Sequence, residues 1–145
     1  MNISTKGRYG LRAMLYLAEH YDEKPITLSS IASAQLVSEG YLEQLMVPLK
    51  KNGLVKSVRG AQGGYILARS PEKIMAGEVF RAVEGSLALA ACVSENKTEK
   101  CTQMESCATR ILWQKVQDSI TDLLDSYSLA DLLQEHAAEQ EKNSF

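Results

Sequence analysis

Apolar residues in the first third of the chain recur in steps of three and four, which is the spacing of one helix face. Capping residues, prolines and glycines divide this stretch into three predicted helices: from Thr5 to before Pro25, from Thr27 to Ala34, and from Ser38 to before Gly53. Only a few residues around Leu36 and Val37 separate the second helix from the third. Two short helices joined so tightly are typical of a helix-turn-helix, whose second helix enters the DNA major groove.

Two short segments after these helices, 54–58 and 65–67, predict β-strands. The residues between them, RGAQGG (59–64), are rich in glycine and predict a hairpin whose tip begins with an arginine. Three helices followed by such a hairpin form the layout of a winged helix-turn-helix domain.

Helical patterns resume after the hairpin. Residues 76–84 predict a helix that Gly85 ends, and a helix of about five turns is predicted from Ala108. An apolar stripe runs along this long helix at Leu112, Val116, Ile120, Leu123 and Tyr127. The stripe can pack on the winged-helix body, against a second copy of the chain, or both, and its near-heptad spacing favours pairing in a dimer. A short final helix capped by Ser128 and a frayed charged tail at 139–142 are predicted to follow.

The predicted fold is mainly α with a small β-hairpin: a winged helix-turn-helix DNA-binding domain plus a long C-terminal dimerisation helix. Residues 1–70 are expected to form the DNA-binding domain, and 71–107 a connecting helix and a three-cysteine loop. Residues 108–145 are expected to form the dimerisation helix, the final helix and the tail. A chain of 145 residues is expected to build one hydrophobic core.

Composition and charge narrow the classes of function. The chain has 45% hydrophobic and 23% charged residues, as globular proteins do. No apolar run approaches the roughly 20 residues that span a bilayer, and no signal-peptide core follows Met1, so a cytoplasmic protein without membrane contact is expected. Residues 1–69 carry nine Lys or Arg against five Asp or Glu, a net charge of +4, and residues 70–145 carry seven against thirteen, a net charge of −6. A basic first half suits a polyanionic partner.

The predicted third helix and the hairpin supply candidate DNA contacts. Polar side chains able to reach base edges are Ser38, Tyr41, Glu43 and Gln44. Glutamine pairs best with adenine, and glutamate accepts a hydrogen bond from the cytosine amine. Lys50 and Lys51 can reach phosphates, while Arg59 and Gly60 form a wing tip that suits a minor groove, whose negative potential attracts a guanidinium. Because solvated helix faces carry the same residue types, the combination rather than any one residue favours DNA binding.

All three cysteines, Cys92, Cys101 and Cys107, lie in one polar window. In a reducing compartment such a group is expected to bind metal or sense redox state rather than to form disulfides. Soft thiolates suit zinc and iron-sulfur clusters, and the spacing differs from the Cys-x2-Cys of a zinc ribbon, which disfavours zinc without excluding it. The fourth ligand of such a site stays open among a partner subunit, a small molecule, solvent and the loop carboxylates Glu95, Glu99 and Glu105.

Five stretches carry a resemblance to a known family: ISTKGRYGLRAML (3–15), YLEQLMVPLKKNGLVKSVRG (41–60), GGYIL (63–67), AGEVFRAVEG (76–85) and the cysteine loop (92–107). Through them nearly the whole chain resembles the IscR/NsrR/CymR (Rrf-type) family of bacterial winged-helix transcription regulators. The resemblance implies a homodimer paired through the long helix and bound to a palindromic promoter site on double-stranded DNA. It also implies DNA contacts by Glu43, Gln44 and Arg59, and ligation of an iron-sulfur cluster by the three cysteines.

The cysteine loop resembles the cluster-binding branch of this family, whereas members of the CymR type lack it and act through a partner enzyme. Two positions depart from that branch. Where the iron-sulfur regulator type completes a 2Fe-2S site with a histidine three residues after the last cysteine, this chain has Arg110. Where the nitric oxide sensor type completes a 4Fe-4S site with an aspartate early in the first helix of the other subunit, it has Arg8. The implied cofactor is therefore a 2Fe-2S or 4Fe-4S cluster with an unassigned fourth ligand.

The sequence contains no phosphate-binding loop and no nucleophile elbow, so no enzymatic activity is expected. The predicted function is that of a homodimeric transcriptional regulator, expected to be a repressor, that senses iron-sulfur status, oxygen, redox state or nitric oxide through the cluster. One alternative is a CymR-like regulator controlled by a partner protein, or by a thiol or zinc switch without a cluster. Another is an interaction module that binds no DNA.

Overall fold

A computed structural model of the chain describes residues 2–95 and 101–144, which form helices and one hairpin. The elements are α1 (Thr5–Glu19), α2 (Leu28–Gln35), α3 (Glu39–Lys51), β1 (Val55–Val58), β2 (Gly64–Leu67), α4 (Ala76–Glu84), α5 (Thr109–Ser126) and α6 (Leu129–Asn143). Short 3-10 helices occur at Pro71–Lys73 and Ala91–Val93. The predicted fold class, mainly α with a two-stranded antiparallel hairpin in a winged-helix arrangement, is confirmed.

Serine and threonine caps begin the first three helices. Thr27 and Ser38 accept hydrogen bonds from the backbone N–H groups of Ser30 and Tyr41, each at 3.1 Å, as predicted. The predicted cap at Thr5 is wrong by one residue, because Ser4 has the extended backbone that a cap requires and accepts from Gly7 N at 3.2 Å. Thr5 is instead the first helical residue.

The turn between α2 and α3 is closed by Leu36, a non-glycine residue in the left-handed region with φ of 56°. Its N–H donates to Ser33 O, and the next N–H, of Val37, donates to Ala32 O at 3.1 Å. These bonds satisfy the last carbonyls of α2 in the manner of a Schellman motif. The turn is therefore short, and only three residues separate α2 from α3.

The hydrophobic core lies between α1, α3 and α4 and receives further side chains from α2, the hairpin and α6. Its fully enclosed members include Met14, Ile31, Leu42, Leu45, Met46, Leu49, Leu54, Ile74, Val79 and Leu129. Leu42, Leu45, Met46 and Leu49 follow the helical spacing read from the sequence, so α3 buries one face and exposes the other. Since Ile74, Val79 and Leu129 belong to the same cluster, the core extends past residue 70; the division at 1–70, 71–107 and 108–145 stays a prediction.

The hairpin is joined to the body through an additional backbone pairing. Ile26 N donates to Tyr65 O at 3.0 Å, and Tyr65 N donates to Ile26 O at 2.7 Å. Gly64, with φ of +153°, precedes this pairing, and a Cβ there would overlap the carbonyl group of Ile26. A residue without a side chain is therefore required for the wing to dock against the segment that leads into α2.

Replacing Gly64 with alanine should lower the free energy of unfolding by about 2 kcal/mol, because it combines backbone strain with a steric clash. The measurement is urea denaturation at constant pH. Gly53→Ala is the matched control, since Gly53 also has positive φ, at 71°, but open space around its Cβ position in the described chain. Equal losses of unfolding free energy in the two variants would mean that the clash with Ile26 contributes nothing to the destabilisation.

The last helix differs from its prediction. α6 contains 15 residues and ends at Asn143, so it is not short, and the tail predicted to fray, 139–142, is helical. A reciprocal cap begins the helix, with Asp131 N donating to Ser128 Oγ at 3.0 Å and Ser128 N donating to Asp131 Oδ2 at 2.9 Å. Leu129 anchors it in the core, and the tail consists of strong helix formers. No helix in the described ranges is long and apolar enough to cross a membrane.

Candidate DNA interface and cysteine segment

The exposed face of α3 carries Gly40, Glu43, Gln44 and Val47. These positions are spaced by three, one and three residues, so they lie on one stripe of the helix, opposite the buried leucines. Ser38 is exposed at the start of the same helix, where its hydroxyl oxygen caps Tyr41 N. The helix therefore presents Glu43 and Gln44 outward on a surface that its own fold leaves open.

Tyr41 is turned inward, unlike the other residues predicted to contact bases. Its ring meets the ring of Tyr9 edge-on, with 6.1 Å between centroids and an interplanar angle of 88°. Its hydroxyl is enclosed and has no hydrogen-bond partner among the described residues. Burial is the main cause that raises the pKa of this phenol above its ordinary value, and Tyr9 and Glu84 add to it. Because Tyr41 packs α3 against α1, we leave it out of the proposed DNA contacts.

The end of α3 is tied to the wing. Lys50 Nζ donates to Ser57 Oγ of β1 at 2.7 Å, while Lys51 is exposed on the last turn. Arg59 and Gly60 follow β1 at the exposed tip of the hairpin, where Gly60 has φ of +106°. The predicted contacts Ser38, Glu43, Gln44, Lys50, Lys51, Arg59 and Gly60 are thus all exposed on α3, its cap and the adjoining wing. Their roles at DNA stay predictions.

The apolar stripe of α5 is largely uncovered within one chain. Leu112 is 55% exposed and Leu123 59% exposed, while Val116, Ile120 and Tyr127 are half-buried. Beside the stripe runs an apolar groove lined by Ile3, Phe80, Leu87, Leu89, Ile120 and Leu124. The described chain does not cover these surfaces, which agrees with the predicted dimerisation face but does not test it.

α5 is linked to α4 by a bidentate ion pair. The two terminal nitrogens of Arg81 donate to the two carboxylate oxygens of Asp125 at 2.7 and 2.8 Å. The hydrogen bonds from Arg81 are the largest cause that lowers the pKa of Asp125 from its ordinary value of 3.8. Since both side chains are more than one-third exposed, solvent screening makes this pair a modest contributor to stability.

Asp125→Asn should lower the free energy of unfolding by about 0.5 kcal/mol at pH 7. A depressed folded-state pKa stabilises the folded chain above the unfolded-state pKa, and that contribution disappears as pH falls through the lowered value. The difference between wild type and variant should therefore shrink below about pH 4. Urea denaturation at a series of pH values between 7 and 3 measures this difference, with Asp122→Asn on the same helix as the control. A pH-independent difference would contradict the electrostatic origin.

The described parts of the cysteine loop, residues 92–95 and 101–107, are called the cysteine segment, and both parts contact the start of α5. Cys92 is half-buried in the 3-10 helix Ala91–Val93, and Arg110 Nε donates to its carbonyl oxygen at 3.3 Å. Cys107 comes two residues before α5, and its Sγ lies 3.0 Å from Thr109 Oγ1. This side-chain hydrogen bond is the main cause that lowers the pKa of Cys107, and the backbone N–H groups of Arg110 and Thr109 add to it. Cys101 is exposed.

The donor types of this segment fit a thiolate-bound metal centre, since all three thiols are free of disulfides and the pKa of Cys107 is lowered. The described ranges nevertheless contain no group of three His, Cys, Asp or Glu side chains placed to hold a metal ion. Arg110 is engaged with the Cys92 carbonyl, and Arg8 lies 5.9 Å from the centre of the Tyr9 ring. A guanidinium stays protonated and has no lone pair for a metal ion, so neither arginine supplies the fourth ligand. Glu99, one of the carboxylates considered for that role, lies outside the described residues.

Sequence reasoning missed two contacts, one beside the cysteine segment and one between α4 and α1. Gln117 is buried in α5, accepts from Leu89 N at 2.8 Å and donates to Thr121 Oγ1 at 3.2 Å. Glu84, at the end of α4, accepts from Gly7 N at 3.0 Å and so joins α4 to the start of α1. Glutamine is usually exposed, so the residue type gave no signal for the burial of Gln117.

The chain is similar to known transcriptional regulators. The model of the Rrf2 family, described as an iron-dependent transcriptional regulator, matches residues 3–135. The HTH-type transcriptional regulator CymR of Bacillus subtilis is 43% identical over 145 residues, covering 100% of this chain and 99% of CymR. The HTH-type transcriptional regulator IscR of Erwinia tasmaniensis is 41% identical over 133 residues, covering 92% of this chain and 79% of IscR.

Solved structures of both types of regulator share the fold. The structure of CymR, the global cysteine regulator of B. subtilis, has a TM-score of 0.78 at 45% identity and covers 91% of this chain and 95% of that one. The structure of IscR from T. potens has a TM-score of 0.76 at 46% identity and covers 94% of this chain and 88% of that one. The two types are therefore similar to this chain to nearly the same degree.

Proposed function

Because the chain belongs to the Rrf2 family of transcriptional regulators, we propose that it is a homodimeric, sequence-specific DNA-binding regulator that acts in the cytoplasm as a repressor. One observation carries the DNA-binding part of this proposal. A capped helix, α3, exposes Glu43 and Gln44 and is fixed through the Lys50–Ser57 hydrogen bond to a hairpin that ends in Arg59. This arrangement supports a role for α3 as the recognition helix and for the hairpin as the wing.

The proposed binding mode follows from that geometry. α3 lies in the major groove, where Gln44 suits an adenine edge and Glu43 accepts from a cytosine amine. Lys51 neutralises a phosphate, and the Arg59 tip enters the neighbouring minor groove. Two copies related by a twofold axis place two such helices about 34 Å apart, so the operator is a palindrome with half-sites one helical turn apart or a multiple of it.

The proposed dimer pairs through the uncovered stripe of α5, and the supporting observation is the exposure of Leu112 and Leu123. A large apolar surface left open to water is unfavourable, and burying it against a second copy removes that penalty. A twofold interface of this kind also fixes the separation of the two α3 helices.

The proposed signal site is the cysteine segment, with Cys92, Cys101 and Cys107 as ligands of a 2Fe-2S or 4Fe-4S cluster. The proposal is supported by the three clustered thiols and by the similarity to IscR-type regulators. When bound, the cluster supplies iron and sulfide that react with oxidants or nitric oxide. In this proposal, ligand binding includes a rearrangement of the segment, because the described residues contain no group of three ligands placed to hold a metal ion.

Contacts within the chain can transmit such a rearrangement. The segment is joined to α5 by the Cys92–Arg110 hydrogen bond, and Leu89, three residues before Cys92, is joined to α5 by the Leu89–Gln117 hydrogen bond. α5 is joined to α4 by Arg81–Asp125. A shift of the segment therefore moves α5 relative to the body, and in a dimer paired through α5 it changes the spacing of the two recognition helices.

A second candidate keeps the DNA-binding frame and replaces the cluster. In it the protein is a CymR-like regulator controlled by a partner protein, or by a thiol or zinc switch on the same cysteines. Two observations favour it: CymR of B. subtilis matches the full length of the chain, and the described residues contain no three-ligand group.

The proposed function is tested by selecting binding sites from a pool of random DNA duplexes with the full-length protein. Enrichment of one palindromic sequence, bound with an affinity that falls steeply as salt increases, is the expected result. Iron, sulfide and zinc analysis of the anaerobically purified protein then separates the two candidates. A pool without an enriched sequence would overturn the DNA-binding proposal.

A further inference from the structure

Val47 interrupts an otherwise polar or side-chain-free surface. It shares the exposed face of α3 with Gly40, Glu43 and Gln44, and 62% of its surface is open to solvent. Val47 lies four residues after Glu43 and three after Gln44, about 5 Å further along the helix axis at 1.5 Å per residue. A surface that lies along this stripe of α3 and contacts Glu43 and Gln44 therefore also reaches Val47.

Nothing in the described fold accounts for the residue types at either end of this face. A β-branched residue on an exposed helix surface has a lower helix propensity than alanine or lysine, and Val47 gains little burial in return. Gly40 also lowers helix propensity, and a Cβ at that position would meet no described atom within 4 Å. Space at Gly40 and methyl groups at Val47 together form a face that an external apolar group can approach closely.

We propose that Val47 reads the 5-methyl group of a thymine in the major groove, an inference that rests on the proposed DNA-binding function. Thymine is the base that presents an apolar group at the major-groove edge. Valine has no hydrogen-bonding group and cannot distinguish the other base edges, so a methyl contact is the readout that its chemistry allows. The base pair concerned lies next to those faced by Glu43 and Gln44.

The test uses uracil, which differs from thymine only by the missing methyl group. The operator duplex obtained by selection is prepared with each symmetric pair of thymines replaced in turn by deoxyuridine. Dissociation constants are measured for the full-length wild type and for Val47→Ala. At one thymine pair, uracil should weaken wild-type binding about fourfold per half-site, the value expected for one methyl group removed from an apolar contact. The same change should alter binding of Val47→Ala less than about twofold.

Leu36→Ala is the matched control, because Leu36 is also an exposed aliphatic residue but lies in the turn before α3. Its affinity should show the same uracil effect as wild type at every position. If no uracil substitution weakens binding of wild type more than binding of Val47→Ala, the inference is overturned while the proposed function stays intact. Failure to select any operator overturns both together.

Discussion

Arg59→Ala should weaken binding of the selected operator by about a hundredfold. Arg59 is exposed at the tip of the hairpin, next to Gly60, whose backbone lets the tip turn without a side chain in the way. A guanidinium that enters the narrow, electronegative minor groove contributes on the order of 1–3 kcal/mol at each half-site, and a dimer carries two of them. Fluorescence anisotropy at fixed ionic strength, on the operator and on a scrambled duplex, measures the effect.

The matched control is Lys56→Ala, because it removes one positive charge from the exposed part of β1 without changing the tip. It should weaken binding to both duplexes by a similar small factor, as expected for the loss of a general phosphate interaction. Arg59→Ala should instead lose most of the difference between operator and scrambled DNA. An operator affinity within about twofold of wild type would remove the wing from the proposed interface.

Cys101→Ala should abolish retention of iron and sulfide. The proposed cluster has three ligands from this chain, and the loss of any one leaves too few thiolates to hold it. Anaerobically purified wild type is expected to contain about two or four irons per chain with matching sulfide and a brown or red colour. The variant should be colourless, with unchanged circular dichroism and oligomeric state, because the Cys101 side chain is exposed and lies outside the core.

Thr102→Ala is the control for Cys101, since it changes the neighbouring exposed residue and leaves all three thiols in place. It should retain the wild-type iron content. Stoichiometric zinc in the wild type, or no metal after reconstitution with iron and sulfide, would contradict the cluster proposal. The same result would favour the CymR-like candidate, in which the cysteines act as a thiol or zinc switch.

Local signals in the sequence were sufficient for much of the winged-helix body. Thr27 and Ser38 cap helices through hydrogen bonds three residues away, and the glycine-rich turn connects strands that are adjacent in sequence. The buried face of α3 follows from a spacing that any helix imposes. Each of these features depends on atoms within a few residues of one another, so the sequence pattern and the structure agree.

Features that depend on contacts between distant residues were predicted less accurately from the sequence. Tyr41 follows the α3 cap and reads as a polar recognition residue, yet its ring packs against Tyr9 from α1. Gln117 is of a residue type that is usually exposed, yet it is buried and accepts a hydrogen bond from Leu89 N. The final helix was expected to be short and the tail at 139–142 to fray, but Leu129 anchors the helix in a core that includes Met14, more than a hundred positions earlier.

The sequence by itself determined the family, the helix-turn-helix, the wing and the presence of three clustered thiols. Tertiary structure alone decided that Tyr41 turns inward and that α5 keeps its apolar stripe largely uncovered. It also decided that the described part of the cysteine segment does not gather three ligands. The physical reason is that helix periodicity and capping are local, whereas burial and ligand geometry depend on where distant elements pack.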